Sequence, residues 1–159
     1  MNFTRQLDLL QPEKIPSITI IGVGGIGSLL TVGLAKMGAS RIMVYDFDTI
    51  SEHNLPNQWY NINDIGRLKV DALHDVVIQQ TGIEIHTVGE KWDNGYQSDI
   101  IITAVDSMRA RNRIFHQLLR SHSKSLLIDP RMGGLVGVVI PCYLDQDESI
   151  SNYKMTLNR

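Results

Sequence analysis

The segment that most constrains the fold is a glycine-rich turn between an apolar strand and a helical pattern. Residues 17–21 are apolar and β-branched, which predicts a short buried strand, and they lead directly into the turn GVGGIG. The spacing of apolar residues after the turn predicts a helix that ends at Gly38. Residues 41–45 then predict a second buried strand, which Asp46 and Asp48 follow. This order of elements is typical of nucleotide-binding folds.

Each glycine of the turn has a predicted mechanical role. Gly22 permits the tight turn after the strand, Gly24 lets the backbone approach a phosphate, and Gly27 lets the helix pack closely against the strand. Unpaired N–H groups at the start of the helix favour an anion. A glycine turn without a ligand is the alternative interpretation, but the helix, strand and acids that follow favour a nucleotide site.

The composition is ordinary for a globular protein and argues against several functional classes. The net charge over 159 residues is −2, which gives no electrostatic footprint for nucleic acid or an anionic membrane. A single cysteine, Cys142, excludes an internal disulfide and a zinc site built from cysteines. Residues 1–14 lack the apolar core of a signal peptide, and no apolar run approaches the length of a membrane span. We therefore expect a cytoplasmic protein with no nucleic-acid or membrane partner.

Strand and helix patterns alternate along the rest of the chain, which predicts a doubly wound, mostly parallel, Rossmann-like α/β sheet. Further strands are predicted over residues 83–88, 98–105, 125–128 and 135–143, the last a candidate for antiparallel pairing. Asn63 or Asp64 is the predicted N-cap of a helix that ends at Gly82, and Ser107 that of the next helix. We expect an N-terminal arm over 1–16, a nucleotide-binding domain over 17–145 and a polar segment over 146–159.

Acidic residues follow three of the predicted strands. They are Asp46 with Asp48, Asp106 and Asp129. Ligands of doubly wound sheets bind at the carboxyl ends of the strands, where carboxylates suit both ribose hydroxyls and Mg²⁺. The pattern therefore predicts a nucleotide site that also holds a divalent metal, and by the same topology Arg131 is expected to contact the ligand.

Four segments together resemble a known family. They are GVGGIG, YDFDTISEHNLPNQ, DIGRLKVDAL and AVDSMRAR, and they occur in the order and with the spacing of the ThiF/MoeB adenylyltransferases. Ubiquitin-activating enzymes share this fold. The resemblance implies condensation of ATP, with Mg²⁺, with the C-terminal carboxylate of a ubiquitin-like or sulfur-carrier protein or a peptide. It also implies a homodimer.

The resemblance assigns a role to each residue that matches a family motif. It implies a nucleotide site formed by Gly22, Gly24, Gly25, Gly27, Asp46, Asp48, Asn54, Gln58, Lys69 and Arg111. Within this set, Asp46 takes the ribose hydroxyls and Lys69 the phosphates. The implied catalytic residues are Lys69, Asp106 as the Mg²⁺ ligand, and Arg5, which reaches the partner subunit's site.

Two departures from the family pattern keep alternatives open. Asn57 occupies the position at which the family has a phosphate-facing arginine. That guanidinium is therefore missing, unless Arg67 or Arg131 takes its place. Family members also extend well beyond the matching region, often with a catalytic cysteine, whereas the apolar surroundings of Cys142 favour a structural role. A catalytically degenerate scaffold or partner subunit is therefore one alternative, and an NAD-binding dehydrogenase domain is another. Trp59 and Tyr60 are equally consistent with core packing and with a partner surface.

Overall fold

The computed structural model describes residues 1–95 and 98–157, and within them six strands form one sheet in the order β3-β2-β1-β4-β5-β6. The strands are β1 (Ile18–Ile21), β2 (Ile42–Tyr45), β3 (His86–Val88), β4 (Ile100–Thr103), β5 (Leu126–Gly133) and β6 (Val136–Tyr143). Neighbouring strands are parallel except β5 and β6, which form an antiparallel hairpin. The predicted mostly parallel α/β sheet, with its antiparallel final strand, is confirmed.

Helices cover both faces of the sheet, and each face has its own apolar core. The helices are α1 (Gly25–Lys36), α2 (Lys69–Thr81), α3 (Met108–Arg120) and α4 (Asp147–Leu157). One core joins α1 and α2 to the sheet, and the other joins α3 and α4 to it. Successive residues of β4 alternate between the cores, since Ile101 belongs to the second and Ile102 to the first. Burial on both faces explains why the central strands are continuously apolar.

Several element boundaries differ from the sequence-based prediction. Helix α2 begins at Lys69, and Asp64 does not cap it. Asp64 instead accepts a hydrogen bond from Asn61 N (2.9 Å) and closes the short 3-10 turn Ile62–Asp64. The prediction of Asn63 or Asp64 as the α2 cap is therefore wrong, because an acid before a helical pattern suits the shorter turn equally well. The strand predicted over 83–88 is also shorter than expected, since β3 spans only His86–Val88.

The N-terminal arm packs against the C-terminal end of α1. Gln6 Nε2 donates a hydrogen bond to Met37 O (2.7 Å). Gly38, with a φ of +98°, lies so close to the arm that a Cβ there would be 2.8 Å from Pro12 Cβ. Helix α1 has 12 residues and is therefore roughly 18 Å long. The contact at Met37 thus holds the arm at the end of α1 that lies farthest from the glycine turn.

Candidate functional site

The glycine turn between β1 and α1 is closely packed at two positions. Gly22 has a φ of +90°, and a Cβ there would lie 2.8 Å from Ala104 O in the chain that follows β4. A Cβ on Gly27 would overlap the carbonyl oxygen of Gly22 and lie 3.3 Å from Ala104 Cβ. Only glycine fits at either position. These contacts confirm the tight turn predicted at Gly22 and the close helix–strand packing predicted at Gly27.

Gly24, in contrast, faces open space. The nearest atom to a Cβ at this position would be Gln58 Nε2, at 3.9 Å. Gly24 is also the N-cap of α1, and no side chain among residues 1–95 and 98–157 caps this end of the helix. The first N–H groups of α1 therefore lack a side-chain acceptor at the positive end of the helix dipole. An open, uncapped helix start of this kind fits a phosphate group.

The connection from β2 to α2 crosses over the glycine turn and is bonded to it. Tyr60 Oη donates to Val23 O (2.6 Å), and Trp59 N donates to Ser28 Oγ (3.0 Å). Tyr60 is buried, and burial raises the pKa of its phenol, so the hydroxyl remains a donor. Trp59 is 45% exposed. Of the two uses considered for these aromatic residues, Tyr60 therefore packs in the core and Trp59 lies at the surface.

Gln58 immediately precedes these two anchoring residues, and its side chain lies beside the glycine turn. Its Oε1 atom is buried and has no hydrogen-bond partner within the described residues. Buried acceptors are nearly always paired in folded proteins, so an unpaired one at this position is suited to a donor from a ligand. A nucleotide carries such donors on its base and its ribose. Asn54, at the start of the crossing segment, uses Oδ1 to accept from Ser51 N and Ser51 Oγ, both at 3.0 Å.

Asp46 joins the end of β2 to the glycine turn. One carboxylate oxygen accepts from Val23 N (2.8 Å), and the other accepts from Asp48 N (2.9 Å). The residue is only 8% exposed. A carboxylate has about four acceptor positions, so Asp46 keeps capacity for ribose hydroxyls after these two bonds.

Lys69 and Asp48 form an ion pair close to this carboxylate. Lys69 Nζ lies 3.0 Å from Asp48 Oδ2, and Lys69 N donates to Asp48 O (2.9 Å). Lys69 is buried, and it is the first residue of α2, where the helix dipole disfavours a cation. The Asp48 carboxylate offsets that cost. A phosphate near this ammonium would be favoured for the same electrostatic reason.

Asp106 lies on the same edge of the sheet. Ala104 N donates to Ile21 O (2.8 Å), which aligns the end of β4 with the end of β1, and Asp106 follows as an exposed residue. Residues 1–95 and 98–157 contain no group of three or more histidine, cysteine or acidic side chains that could hold a metal. A metal held by Asp106 would therefore take its remaining ligands from phosphate oxygens and water, which is common for Mg²⁺.

The two implied arginines lie away from the open side of the glycine turn. The Arg111 guanidinium is buried, pairs with the Asp129 carboxylate, and donates to the carbonyl oxygens of Thr103 (2.9 Å) and Val105. Arg5 belongs to the arm at the C-terminal end of α1. The structure thus brings together the glycines, Asp46, the Lys69–Asp48 pair, Gln58 and Asp106, but it does not bring Arg5 to the glycine turn of its own chain.

Two expectations for the ligand edge are wrong. Strand β5 continues to Gly133 because the hairpin pairs Asp129 with Ile140 and Arg131 with Val138. Asp129 is therefore a fully buried residue within the strand instead of an acid at the strand end. Arg131 donates to Asp129 Oδ2 (2.8 Å) and to Thr156 O of α4 (2.9 Å), so it is not available for a ligand as predicted.

Neither Arg67 nor Arg131 is placed to serve as the arginine that the family resemblance implies at position 57. Arg131 is held by Asp129 and α4, and Arg67 bridges Asp64 (2.9 Å) and Asp75 (2.6 Å) beside α2. Asn57 itself is exposed, with its carbonyl oxygen 3.1 Å from the position of a Cβ on Gly25. The described site therefore has Lys69 as its nearby buried cation.

One buried residue linked to Asp129 was not predicted from the sequence. Tyr153 lies in the segment expected to be polar, but it is buried in the second core, and its Oη donates to Asp129 Oδ2 (2.7 Å). The apolar spacing of Ile150, Tyr153 and Leu157 is the signal that would have revealed that this helical segment packs into the core. Cys142 is fully buried in the same core, and burial raises the pKa of its thiol, as expected for a structural cysteine.

Comparison with known proteins agrees with this fold. The model of the ThiF family matches residues 6–148. The chain belongs to the ThiF family. Ubiquitin-like modifier-activating enzyme 5 of Arabidopsis thaliana is 24% identical to this ThiF-family chain over 151 residues, a match that covers 79% of the chain and 35% of the relative. The Caenorhabditis elegans enzyme of the same name is 26% identical over 113 residues, covering 60% of the chain and 27% of the relative.

Solved structures with a similar fold include those of E. coli MccB and of PaaA. E. coli MccB with MccA-N7isoASN superposes with a TM-score of 0.75 at 21% identity and covers 83% of this chain and 41% of its own. PaaA superposes with a TM-score of 0.72 at 22% identity, and the match covers 86% of this chain and 44% of PaaA. The chain thus spans about a third of the length of the curated relatives and under half of these structures. In the part of the chain that is described, no helix has the length and apolar character needed to cross a membrane.

Proposed function

We propose that this ThiF-family chain uses ATP to adenylate a carboxylate, the C-terminus of a ubiquitin-like or sulfur-carrier protein or of a peptide. The observation that carries the proposal is the open space at Gly24, at an uncapped helix start, with Asp46, Lys69 and Asp106 along the same edge of the sheet. Two similarities support it. Curated relatives are ubiquitin-like modifier-activating enzymes, and one similar structure is MccB with AMPCPP and MccA.

The reaction needs binding and charge neutralisation more than proton transfer. A carboxylate oxygen of the acceptor attacks the α-phosphorus of ATP, the bond to the bridging oxygen breaks, and pyrophosphate leaves with the electron pair. The product is an acyl adenylate. The acceptor is already ionised near neutral pH, so no general base is required. Pre-positioned positive groups that stabilise the developing charge supply most of the catalysis in such transfers.

Each residue of the site has a proposed part in this reaction. The N–H groups at Gly24, Gly25 and the start of α1 bind phosphate, with Gly22 and Gly27 setting the turn. Asp46 binds the ribose, while Asn54 and Gln58 supply polar contacts along the nucleotide. Lys69, oriented by Asp48, moves its ammonium towards the phosphates. Mg²⁺ held by Asp106 would neutralise phosphate charge.

Arg5 completes the proposed catalytic set from the partner subunit of a homodimer. Its arm is held roughly 18 Å from the glycine turn of the same chain, which supports a role at a second copy's site. Mixing inactive Arg5→Ala and Asp106→Ala subunits tests this. Random pairing makes half of the dimers mixed, each with one intact site, so about a quarter of wild-type activity should return. No recovery in the mixture would contradict the shared site.

Asn57 favours a second candidate function, a binding scaffold or partner subunit that does not turn over ATP. A phosphate-facing arginine is absent, and Arg67 and Arg131 are engaged elsewhere. Loss of one such cation can cost on the order of 10²- to 10³-fold or more in rate. Both functions therefore include nucleotide binding, but only the first includes turnover of ATP.

ATP–pyrophosphate exchange with candidate carboxylate acceptors separates these functions, together with binding of ATP and NAD. Exchange supports adenylation, and ATP binding without exchange for any acceptor supports the scaffold. Preferential NAD binding would contradict both. Asp106→Ala should abolish Mg²⁺-dependent exchange, since Asp106 is the proposed metal ligand. Asp145→Ala is the matched control, because Asp145 is also exposed but follows β6 at the opposite edge of the sheet.

A further inference from the structure

A buried charge network lies behind the proposed metal ligand. Its centre is Asp129, whose carboxylate is completely buried within β5. One oxygen accepts from the Arg111 guanidinium, and the other accepts from Arg131 Nε (2.8 Å) and Tyr153 Oη (2.7 Å). Burial raises the pKa of the Tyr153 phenol, so this hydroxyl remains a donor at neutral pH.

Arg111 connects this network to the end of β4. In addition to Asp129, its guanidinium donates to the carbonyl oxygens of Thr103 (2.9 Å) and Val105. These carbonyls belong to two of the three residues that immediately precede Asp106. The Asp106 carboxylate accepts no hydrogen bond within residues 1–95 and 98–157. Its position is therefore set by the backbone that Arg111 holds.

The other side of the network reaches α4. Arg131 donates to Thr156 O (2.9 Å) and to Thr156 Oγ1 (3.0 Å), and its guanidinium lies 5.9 Å from the centre of the Tyr153 ring. The Tyr153 ring also packs on Phe115 of α3, with ring centres 4.7 Å apart. A continuous series of contacts thus runs from α4 through Asp129 and Arg111 to the segment that carries Asp106.

A gain in folding stability does not explain this buried charge network. Two guanidiniums and a carboxylate taken out of water incur a large desolvation cost, and apolar residues of similar size often stabilise a fold as well or better. What the charged network adds is a defined geometry, since each carboxylate oxygen and each carbonyl has a directional donor. The element whose geometry it defines is the end of β4.

We infer that this buried charge network positions the Asp106 carboxylate for a divalent metal. The network consists of Asp129, Arg111, Arg131 and Tyr153. Because the network includes contacts to α4, the effect of the metal on nucleotide binding depends partly on that helix. This inference rests on the proposed function, since Asp106 has a metal to hold only if a nucleotide–metal complex binds. Arg111 then acts by holding the Asp106 segment and does not itself contact the nucleotide.

The test compares wild type with Asp129→Asn and Tyr153→Phe. Calorimetry gives the affinity for AMPCPP with and without Mn²⁺, and the ratio measures the metal's contribution. We expect this ratio to fall about tenfold in Asp129→Asn and about threefold in Tyr153→Phe, while the metal-free affinity stays unchanged. Tyr143→Phe is the matched control, because it removes a phenol hydroxyl from a half-exposed residue of β6, and its ratio should equal that of wild type.

Amide hydrogen exchange provides a readout that does not depend on nucleotide. In Asp129→Asn and Tyr153→Phe, the amides of residues 103–107 should exchange about tenfold faster, while those of β1 and β2 keep their protection. Tyr153→Phe keeps the ring packing, so it remains informative if Asp129→Asn does not fold. Unchanged exchange at 103–107, or an unchanged Mn²⁺ ratio in a wild-type-stable variant, would overturn the inference. If the wild-type protein binds no AMPCPP, the proposed function is overturned instead. Amide hydrogen exchange would still show whether the network positions the segment that carries Asp106.

Discussion

Substitution of Gly27 by alanine is expected to destabilise the whole fold. The added Cβ would overlap the Gly22 carbonyl oxygen and lie 2.9 Å from its carbon. Both atoms belong to the backbone of the turn, so α1 has to move away from β1. Overpacking of this kind typically lowers the free energy of unfolding by about 1–3 kcal/mol. We expect a value near the upper end, because backbone atoms cannot rotate away as a side chain can. In a domain of this size 1 kcal/mol shifts the melting temperature by roughly 2–4 °C, so a cost of about 3 kcal/mol lowers it by roughly 6–12 °C.

Gly33→Ala is the control within the same helix. A Cβ on Gly33 would meet no atom within 4 Å, and alanine is favoured over glycine inside a helix by about 0.5–1 kcal/mol. Its melting temperature should therefore rise by a few degrees. Thermal unfolding followed by far-UV circular dichroism measures both variants. If Gly27→Ala melts at or above the wild-type temperature, the argument from close packing at the turn is refuted.

Three further predictions follow from single contacts. Gly24→Ala should melt within a few degrees of wild type, since its Cβ meets nothing closer than 3.9 Å and only the weaker capping of α1 by alanine acts against the fold. It should bind ATP about tenfold or more weakly by calorimetry, and wild-type affinity would contradict the phosphate site. Native Cys142 should resist alkylation near pH 8 and react after unfolding, because burial raises its thiol pKa; rapid labelling of the folded protein would disprove this. Hydrogen bonds from Ser17 lower the pKa of Asp99, so its contribution to stability is present above the unfolded value near 3.9 and is lost as the pH falls through the folded value. Asp99→Asn should therefore destabilise the protein at neutral pH, and this destabilisation should shrink as the pH falls below about 3.9; an effect that does not change with pH would count against the assignment.

The part of the site that could be predicted from the sequence depends on local geometry. The turn at Gly22 and the packing at Gly27 follow from the order of strand, glycine turn and helix, which few other structures satisfy. Lys69 and Asp48 matched family motifs, but their ion pair depends on backbone pairing between the segment after β2 and the segment before α2. Sequence spacing alone does not reveal that pairing.

The misassigned residues depend on partners that are distant in the chain. Asp129 followed by a proline is typical of a strand end. It lies within a strand because donors from α3, β5 and α4 surround its carboxylate and because the β6 pairing continues past it. Arg131 then turns towards α4 for the same reason. No local pattern in the sequence indicates that these three donors converge.

The free edge of the β5–β6 hairpin affects how the protein behaves at high concentration. From Val136 to Tyr143 the strand has no charged residue, Val139 is 67% exposed, and Leu135 at the hairpin tip is fully exposed. Uncharged apolar edges of this kind are templates for strand addition between molecules. Pro141 has no N–H to offer, so such pairing is confined to the first half of the strand. We expect concentrated samples to self-associate there, and a lysine in place of Val139 to raise solubility.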